Sequence, residues 1–217
     1  MMMKYAMRTA LLGLTLSVAS GGAALAKNIQ TAIFAGGCFW CVEADMDKID
    51  GVISTKSGFT GGHVKNVTYK QVTKGGTGHY EAVEIKYDAD KVSYQELLHK
   101  FWRSIDPLDA GGQFCDRGES YRSAIFAVTP QQAQIAEASK KAVAQALGRK
   151  VATEIRSSAP FYLADAYHQD YYKQSRVVLT RFGPKTKADA YKRYRAACGR
   201  DKRVQEIWGT EKFPPSS

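Results

Sequence analysis

Histidine is scarce in this chain of 217 residues. The four present, His63, His79, His99 and His168, stand at no spacing that metal ligands use. Cys38 and Cys41 form one C-x-x-C pair, but Cys115 and Cys198 lie too far apart to form a second. A four-cysteine structural zinc site needs that second close pair, so zinc is disfavoured. Long clusters of one charge are also missing. Lys and Arg number 31 against 21 Asp and Glu, giving +10, yet the basic residues gather only in short pairs such as Lys140-Lys141 and Lys192-Arg193. Nucleic acids and acidic membranes select denser clusters, so neither is an expected partner. No internal repeat and no convincing linker divides the chain.

No segment carries an apolar run long and unbroken enough to span a bilayer comfortably. The first 26 residues instead read as a secretory signal peptide. Lys4 and Arg8 supply the positive start, Ala10 to Ala19 is mostly apolar, and Ala24-Leu25-Ala26 fits a small-residue cleavage site. Residues 27–217 are then expected to form a single exported domain, periplasmic or secreted, with no stable membrane association. Losing Lys4 and Arg8 lowers the formal charge from +10 to +8. Roughly 190 residues suffice for one well-buried core, so the four cysteines need not serve only as staples.

What is present begins with a short apolar strand, Thr31 to Ala35, running into Gly36-Gly37-Cys38-Phe39-Trp40-Cys41. Phe39, Val42, Met46 and Ile49 recur at helical spacing, which predicts a helix over Cys38 to Ile49. Val52 to Phe59 alternates as a strand. His63 to Gly78 reads as a long polar loop that includes Tyr69. His79 to Tyr87 is a strand, and Ser93 with Glu96 opens a helix to Ile105 in a capping box. Asp106 to Glu119 is irregular, Tyr121 to Val128 a strand, Pro130 to Leu147 a helix closed by Gly148, and Val151 to Arg156 a strand. Ala159 to Arg181 is aromatic-rich and read as partly helical. A basic helix follows from Lys185 to Ala197, its Lys185, Lys187, Lys192, Arg193 and Arg195 read as a solvated face. The order predicts two helices on one face of a mainly antiparallel sheet, with a doubly wound parallel sheet as the alternative.

The chemistry centres on Cys38. The glycines permit a tight turn, and a helix start would set free N–H groups and the positive dipole end beside the sulfur. Both favour thiolate, so Cys38 is the expected nucleophile, with Cys41 one turn on and within reach. In the strand from His79, Glu81 shares a face with Val83, Ile85 and Tyr87, while Glu84 shares the other with Lys86. Glu81 is either a desolvated acid that keeps its proton near neutrality, or an edge residue that pairs with a lysine. His168 and the tyrosines Tyr162, Tyr167, Tyr171 and Tyr172 read as packing, His168 with a hydrogen bond.

The strings GGCFW, GFTGG, TGHYEAVEIKYD, DRGESYRSAIF and FYLADAYHQDYY, in this order, resemble the peptide methionine sulfoxide reductase A family. The similarity runs from about Thr31 to about Tyr172 and continues through Tyr191 to Trp208. It implies an α/β two-layer sandwich with a ferredoxin-like core and long catalytic loops. It implies Cys38 as the nucleophile on a sulfoxide sulfur and Glu81 as the acid for its oxygen. Tyr69 and Tyr121 would hold that oxygen, Asp116 would help set the site, and Phe39 and Trp40 would take the terminal methyl. No bound cofactor is implied. A Cys38 sulfenic acid would condense to a disulfide, which an external thioredoxin-like dithiol reduces. The implied substrate is methionine S-sulfoxide, free or in proteins. A monomer is expected.

The chain departs from the pattern at its thiols. Many members carry glycine where Cys41 stands and keep resolving cysteines in a C-terminal tail, but Gly209 to Ser217 has none. Cys41 is the first choice for the resolving thiol and Cys198 the second; a structural Cys115–Cys198 bridge is the competing use of Cys198. Two further functions compete: a general thiol–disulfide oxidoreductase using Cys38 and Cys41, and a disulfide- or zinc-braced binding module.

Overall fold

The computed structural model describes residues 28–209; the first 26 residues, expected to be a signal peptide, lie outside them, as do Lys27 and the last eight residues. The elements run β1 (Ile29–Gly36), α1 (Phe39–Met46), β2 (Val52–Thr60), α2 (Tyr69–Lys74), β3 (Tyr80–Asp88) and α3 (Tyr94–Trp102). The short hairpin β4 (Gly112–Gln113) and β5 (Asp116–Arg117) precedes β6 (Ser123–Ala127) and α4 (Pro130–Leu147). Then come β7 (Glu154–Ser157), β8 (Tyr162–Leu163), a second hairpin β9 (Val177–Thr180) and β10 (Gly183–Thr186), α5 (Lys187–Ala197) and α6 (Arg200–Trp208).

Six strands form the main sheet in the order β7-β6-β1-β3-β2-β8. The central order β6-β1-β3-β2 with helices after β1 and β3 is the ferredoxin-like arrangement, two interleaved β-α-β units. All its pairs are antiparallel except the added edge β6–β7. The doubly wound parallel alternative is thereby excluded. Strand alternation sorts the two faces. Ala32, Phe34, Val83, Ile85 and Ile125 share one buried cluster with Val42 and Met46 of α1 and Leu97, Leu98 and Phe101 of α3. Ile33, Ala35, Tyr80, Ala82 and Phe126 face the other way against Phe161. Phe34 stacks on Phe101 at 4.7 Å, and burying each such ring contributes about 1.5–3 kcal/mol.

Local signals set most helix starts. Ser93 and Glu96 form the expected capping box: Ser93 N–H donates to Glu96 Oε2 at 2.8 Å and Glu96 N–H to Ser93 Oγ at 3.2 Å. A second box, Thr68 with Gln71, opens α2 inside the segment expected to be loop. Its signal is weaker because only one later residue of that helix, Val72, is buried. Residues 159–181, expected to be partly helical, hold a single 3₁₀ turn (Tyr171–Lys173) between β8 and β9. Its backbone needs are met by side chains instead. Gln169 accepts from Ser57 N–H at 3.0 Å and donates to Ser57 and Ala164 carbonyls, while Asp170 N–H donates to Glu43 at 3.0 Å. Its aromatic residues pack on α1, where Trp40 and Tyr171 stack at 3.7 Å.

The basic helix is corrected as well. Lys187, Tyr191 and Arg195 stand four apart and are all buried, with Ala190 on the same side. Lys187 Nζ donates to Tyr167 O and Gln174 Oε1. Arg195 donates to Asp45, Asp201 and the Tyr191 hydroxyl. Only the opposite side of α5 is solvated.

Candidate active site

All nine residues singled out in the sequence, Cys38, Phe39, Trp40, Cys41, Tyr69, Glu81, Asp116, Tyr121 and Cys198, line one cavity of about 360 Å³. They arrive from six places, Cys198 from the α5–α6 junction among them. β1 ends in Gly36-Gly37 and hands Cys38 to the N-cap position of α1. Gly37 has φ +82°, and a Cβ there would sit 2.5 Å from Gln113 Cβ, so only glycine lets the Cys38 turn close against the β4–β5 hairpin. That hairpin carries Asp116. β3 supplies Glu81, opposite Phe59 on β2. The capping box of α2 sets Tyr69 in its first turn, and the turn before β6 sets Tyr121.

Glu81 is 1% exposed, so the edge-residue alternative is removed. One of its oxygens, Oε2, accepts from Phe39 N–H at 3.0 Å, a free donor at the start of α1. The other, Oε1, has no hydrogen-bond partner among the described residues. Burial pushes the carboxyl up from 4.5 to about 8, partly offset by the Phe39 N–H, with Asp116 adding a further push. Near neutrality it keeps its proton, and it is held by the N–H of the residue that follows Cys38. Burial, with Glu81 adding to it, pushes the Tyr69 and Tyr121 phenols well above their ordinary range. Both stay neutral donors.

Cys38 and Cys41 are both free thiols and both line the cavity. The helix start favours thiolate at Cys38, but its surroundings work against it. The neighbouring Cys41, burial, Glu81 and Asp116 all push Cys38 up. Cys41 is drawn down from 9.0 to about 7, first by the Cys38 thiol and then by Arg200 and Arg195, against its own burial. The helix start acts on both sulfurs, but the cavity's acids face Cys38 and its arginines face Cys41. The two sulfurs ionise together, and the surroundings of Cys41 favour its thiolate more than those of Cys38 do.

Arg200 and Arg195 are the site residues that the sequence reading missed. Arg200 is 1% exposed, lies with its guanidinium carbon 4.6 Å from the Phe114 ring centre and donates to Gly36 O at 3.2 Å. The Lys187–Tyr191–Arg195 spacing was the signal for Arg195. Arg200 follows Cys198-Gly199 directly, but nothing in that string marks it as buried.

Phe39, 1% exposed, packs on Phe59 at 5.8 Å and on Tyr69 at 6.2 Å, and Trp40 stands beside it at 6.4 Å. His168 stacks on Tyr69 at 4.1 Å and on Trp40 at 5.7 Å. It is a packing residue as expected, but its Nδ1 makes no hydrogen bond among the described residues, and burial lowers it to about 4, so the ring is neutral. Cys198 is joined to Cys115 by a disulfide across 83 residues, which ties the Asp116 hairpin to the α5–α6 junction.

A protein-family model described as peptide methionine sulfoxide reductase matches residues 30–212. The chain belongs to that family. Among curated relatives, it is 47% identical to peptide methionine sulfoxide reductase MsrA 2 of Caulobacter vibrioides over 192 residues, 88% of this chain and 91% of the other. It is 43% identical over 190 residues to MsrA 2 of Rhizobium meliloti, covering 88% and 89%. Its fold is similar to reduced Mxr1 of Saccharomyces cerevisiae, with TM-score 0.64 and 30% identity over 66% of this chain and 83% of that one. It is also similar to methionine sulfoxide reductase A of Corynebacterium diphtheriae, with TM-score 0.60 and 34% identity over 66% and 73%. The chain is thus an oxidoreductase of the methionine sulfoxide reductase A type, and the competing binding-module reading falls. No helix among the described residues is long and apolar enough to cross a membrane.

Proposed function

We propose that this reductase converts methionine S-sulfoxide to methionine through a sulfenic acid on Cys38, with Cys41 as resolving thiol. The observation that carries the reading is the meeting of a thiol pair and a neutral buried acid in one aromatic-walled cavity, with Phe39 N–H linking Glu81 to the residue after Cys38. A sulfoxide oxygen leaves sulfur only as it gains a proton. Glu81, through the oxygen not held by Phe39, supplies it, and Tyr69 and Tyr121 steady the oxygen with their hydroxyls. Cys38 attacks sulfur while its own proton passes to Cys41. Oxygen moves to Cys38, giving Cys–SOH, and methionine leaves two electrons richer. Phe39 and Trp40 receive the S-methyl group, which is apolar.

Cys41 then condenses with the sulfenic acid, forming the Cys38–Cys41 disulfide and water. Its closeness to Cys38, and the engagement of Cys198 with Cys115, favour it over Cys198 for this step. A thioredoxin-like dithiol protein reduces the disulfide by exchange and becomes oxidised itself. The signal-like pattern of the first 26 residues favours export, with residues 27–217 as the mature enzyme working outside the cytoplasm. A single-turnover assay tests the reading: reduced enzyme with excess methionine S-sulfoxide, no dithiol, counting methionine formed and thiols lost. One methionine and two thiols per enzyme are expected, with Cys41→Ser giving one methionine and a stable sulfenic acid. A Cys41→Ser enzyme that cycles normally with a dithiol protein overturns the resolving role.

A further inference from the structure

The catalytic cavity does not end at the sulfoxide site; its outer wall is made by Leu179, Thr180 and Arg181 of the β9–β10 hairpin. Leu179 is 86% exposed and Val177 63%, two residues apart on the same side of β9. Pro184 stands opposite Leu179 in the register and is exposed too. These apolar side chains contribute nothing to the core. Yet the hairpin beneath them is well anchored. Phe182 packs edge-on against Tyr194 of α5 at 5.4 Å, Arg181 lies over both rings, and Thr180 Oγ1 closes the turn to Gly183 O at 2.8 Å. Beyond β10, β9 has no strand partner among the described residues.

We infer that this hairpin is a docking rim for the polypeptide on either side of a methionine sulfoxide, its apolar neighbours resting on Leu179, Val177 and Pro184. The inference rests on the proposed site for the sulfoxide itself. Leu179 borders the cavity and Val177 lies two residues further along the strand, about 7 Å. An extended peptide whose sulfoxide side chain enters the cavity thus passes over both within one to three residues. Three side chains make too small a patch for a stable protein–protein contact, which buries on the order of 1,200 Å² or more, but they suit a few residues of an unfolded segment. Unfolded segments of damaged proteins expose apolar neighbours of this kind.

The test compares kcat/KM for a peptide carrying methionine S-sulfoxide between leucines with that for free methionine S-sulfoxide, in wild type, Leu179→Ser and Val177→Ser. The inference expects the peptide-to-free ratio to fall about tenfold for Leu179→Ser, the order expected on losing one contact of leucine size, and less for Val177→Ser. The loss should lie in KM and be restored by Leu179→Met. A ratio unchanged in both variants overturns it, as does a loss confined to the KM for the reducing dithiol protein. Absence of turnover on either substrate in wild type would refute the sulfoxide reading instead.

Discussion

Replacing Glu81 by glutamine should raise stability while nearly abolishing catalysis, and both effects can be sized. Burial lifts the Glu81 carboxyl from 4.5 to about 8, so folding takes up a proton between those values and stability falls as pH rises through them. At pH 7 the 2.5-unit interval above 4.5 corresponds to a cost of about 3 kcal/mol, against under about 1 kcal/mol at pH 5. Glutamine binds no proton and escapes this cost. Its carbonyl can accept from Phe39 N–H as Oε2 does now, and its amide N–H₂ would lie where the acid's unpartnered O–H lies, so hydrogen bonding nearly cancels. For a chain of this size, about 3 kcal/mol corresponds to a Tm gain of roughly 6–12 °C at pH 7, shrinking toward pH 5. Catalysis moves the other way. An ordinary carboxyl would be about 0.3% protonated at pH 7 and Glu81 is about 90%, so its burial raises the competent fraction about 300-fold. An amide cannot deliver the proton at all, and the single-turnover rate should drop about 10²- to 10⁴-fold. The assay is paired: urea denaturation of both proteins from pH 5 to 8, and methionine formation over the same range. A stability difference that does not change with pH, or an unaltered rate, would refute the reasoning.

The wild-type single-turnover rate should follow a bell in pH. It rises as the thiol pair loses its first proton at about 7 and falls as Glu81 ionises at about 8; a flat profile between pH 6 and 9 would contradict the assignment. Arg200→Met should raise the first thiol ionisation by about one unit, read as thiolate absorbance against pH, while Arg200→Lys keeps most of the wild-type value. Gly37→Ala should cost at least about 1–2 kcal/mol and lower the single-turnover rate, because it strains a positive φ and drives a methyl into Gln113; denaturant melts alongside turnover check both. Cys115→Ser and Cys198→Ser should both retain the first turnover and cycling with a dithiol protein, since their bridge ties loops and leaves Cys38 and Cys41 untouched.

By itself the sequence determined the four central strands, the helices after β1, β3 and β6, and the ends of α3 at Ser93 and of α4 at Gly148, because these depend on residues two to four apart. The period-two alternation around Glu81 is enough to put it on an apolar face. The co-linear motifs carried the resemblance to the family and, through it, the expectation of a ferredoxin-like core. Tertiary structure decided what depends on approach between distant segments. It buried Glu81 under Phe39 N–H rather than leaving it at an edge. It joined Cys115 to Cys198 across 83 residues. It turned Arg195 inward although its helix looked uniformly basic, and it brought Arg200 into the same cavity. The unequal surroundings of Cys38 and Cys41 were out of reach of sequence for the same reason. Local order offers a helix dipole that both sulfurs feel, whereas the field that separates them comes from acids on β3 and β5 and arginines on α5 and α6, and only folding sets those on opposite sides of the pair.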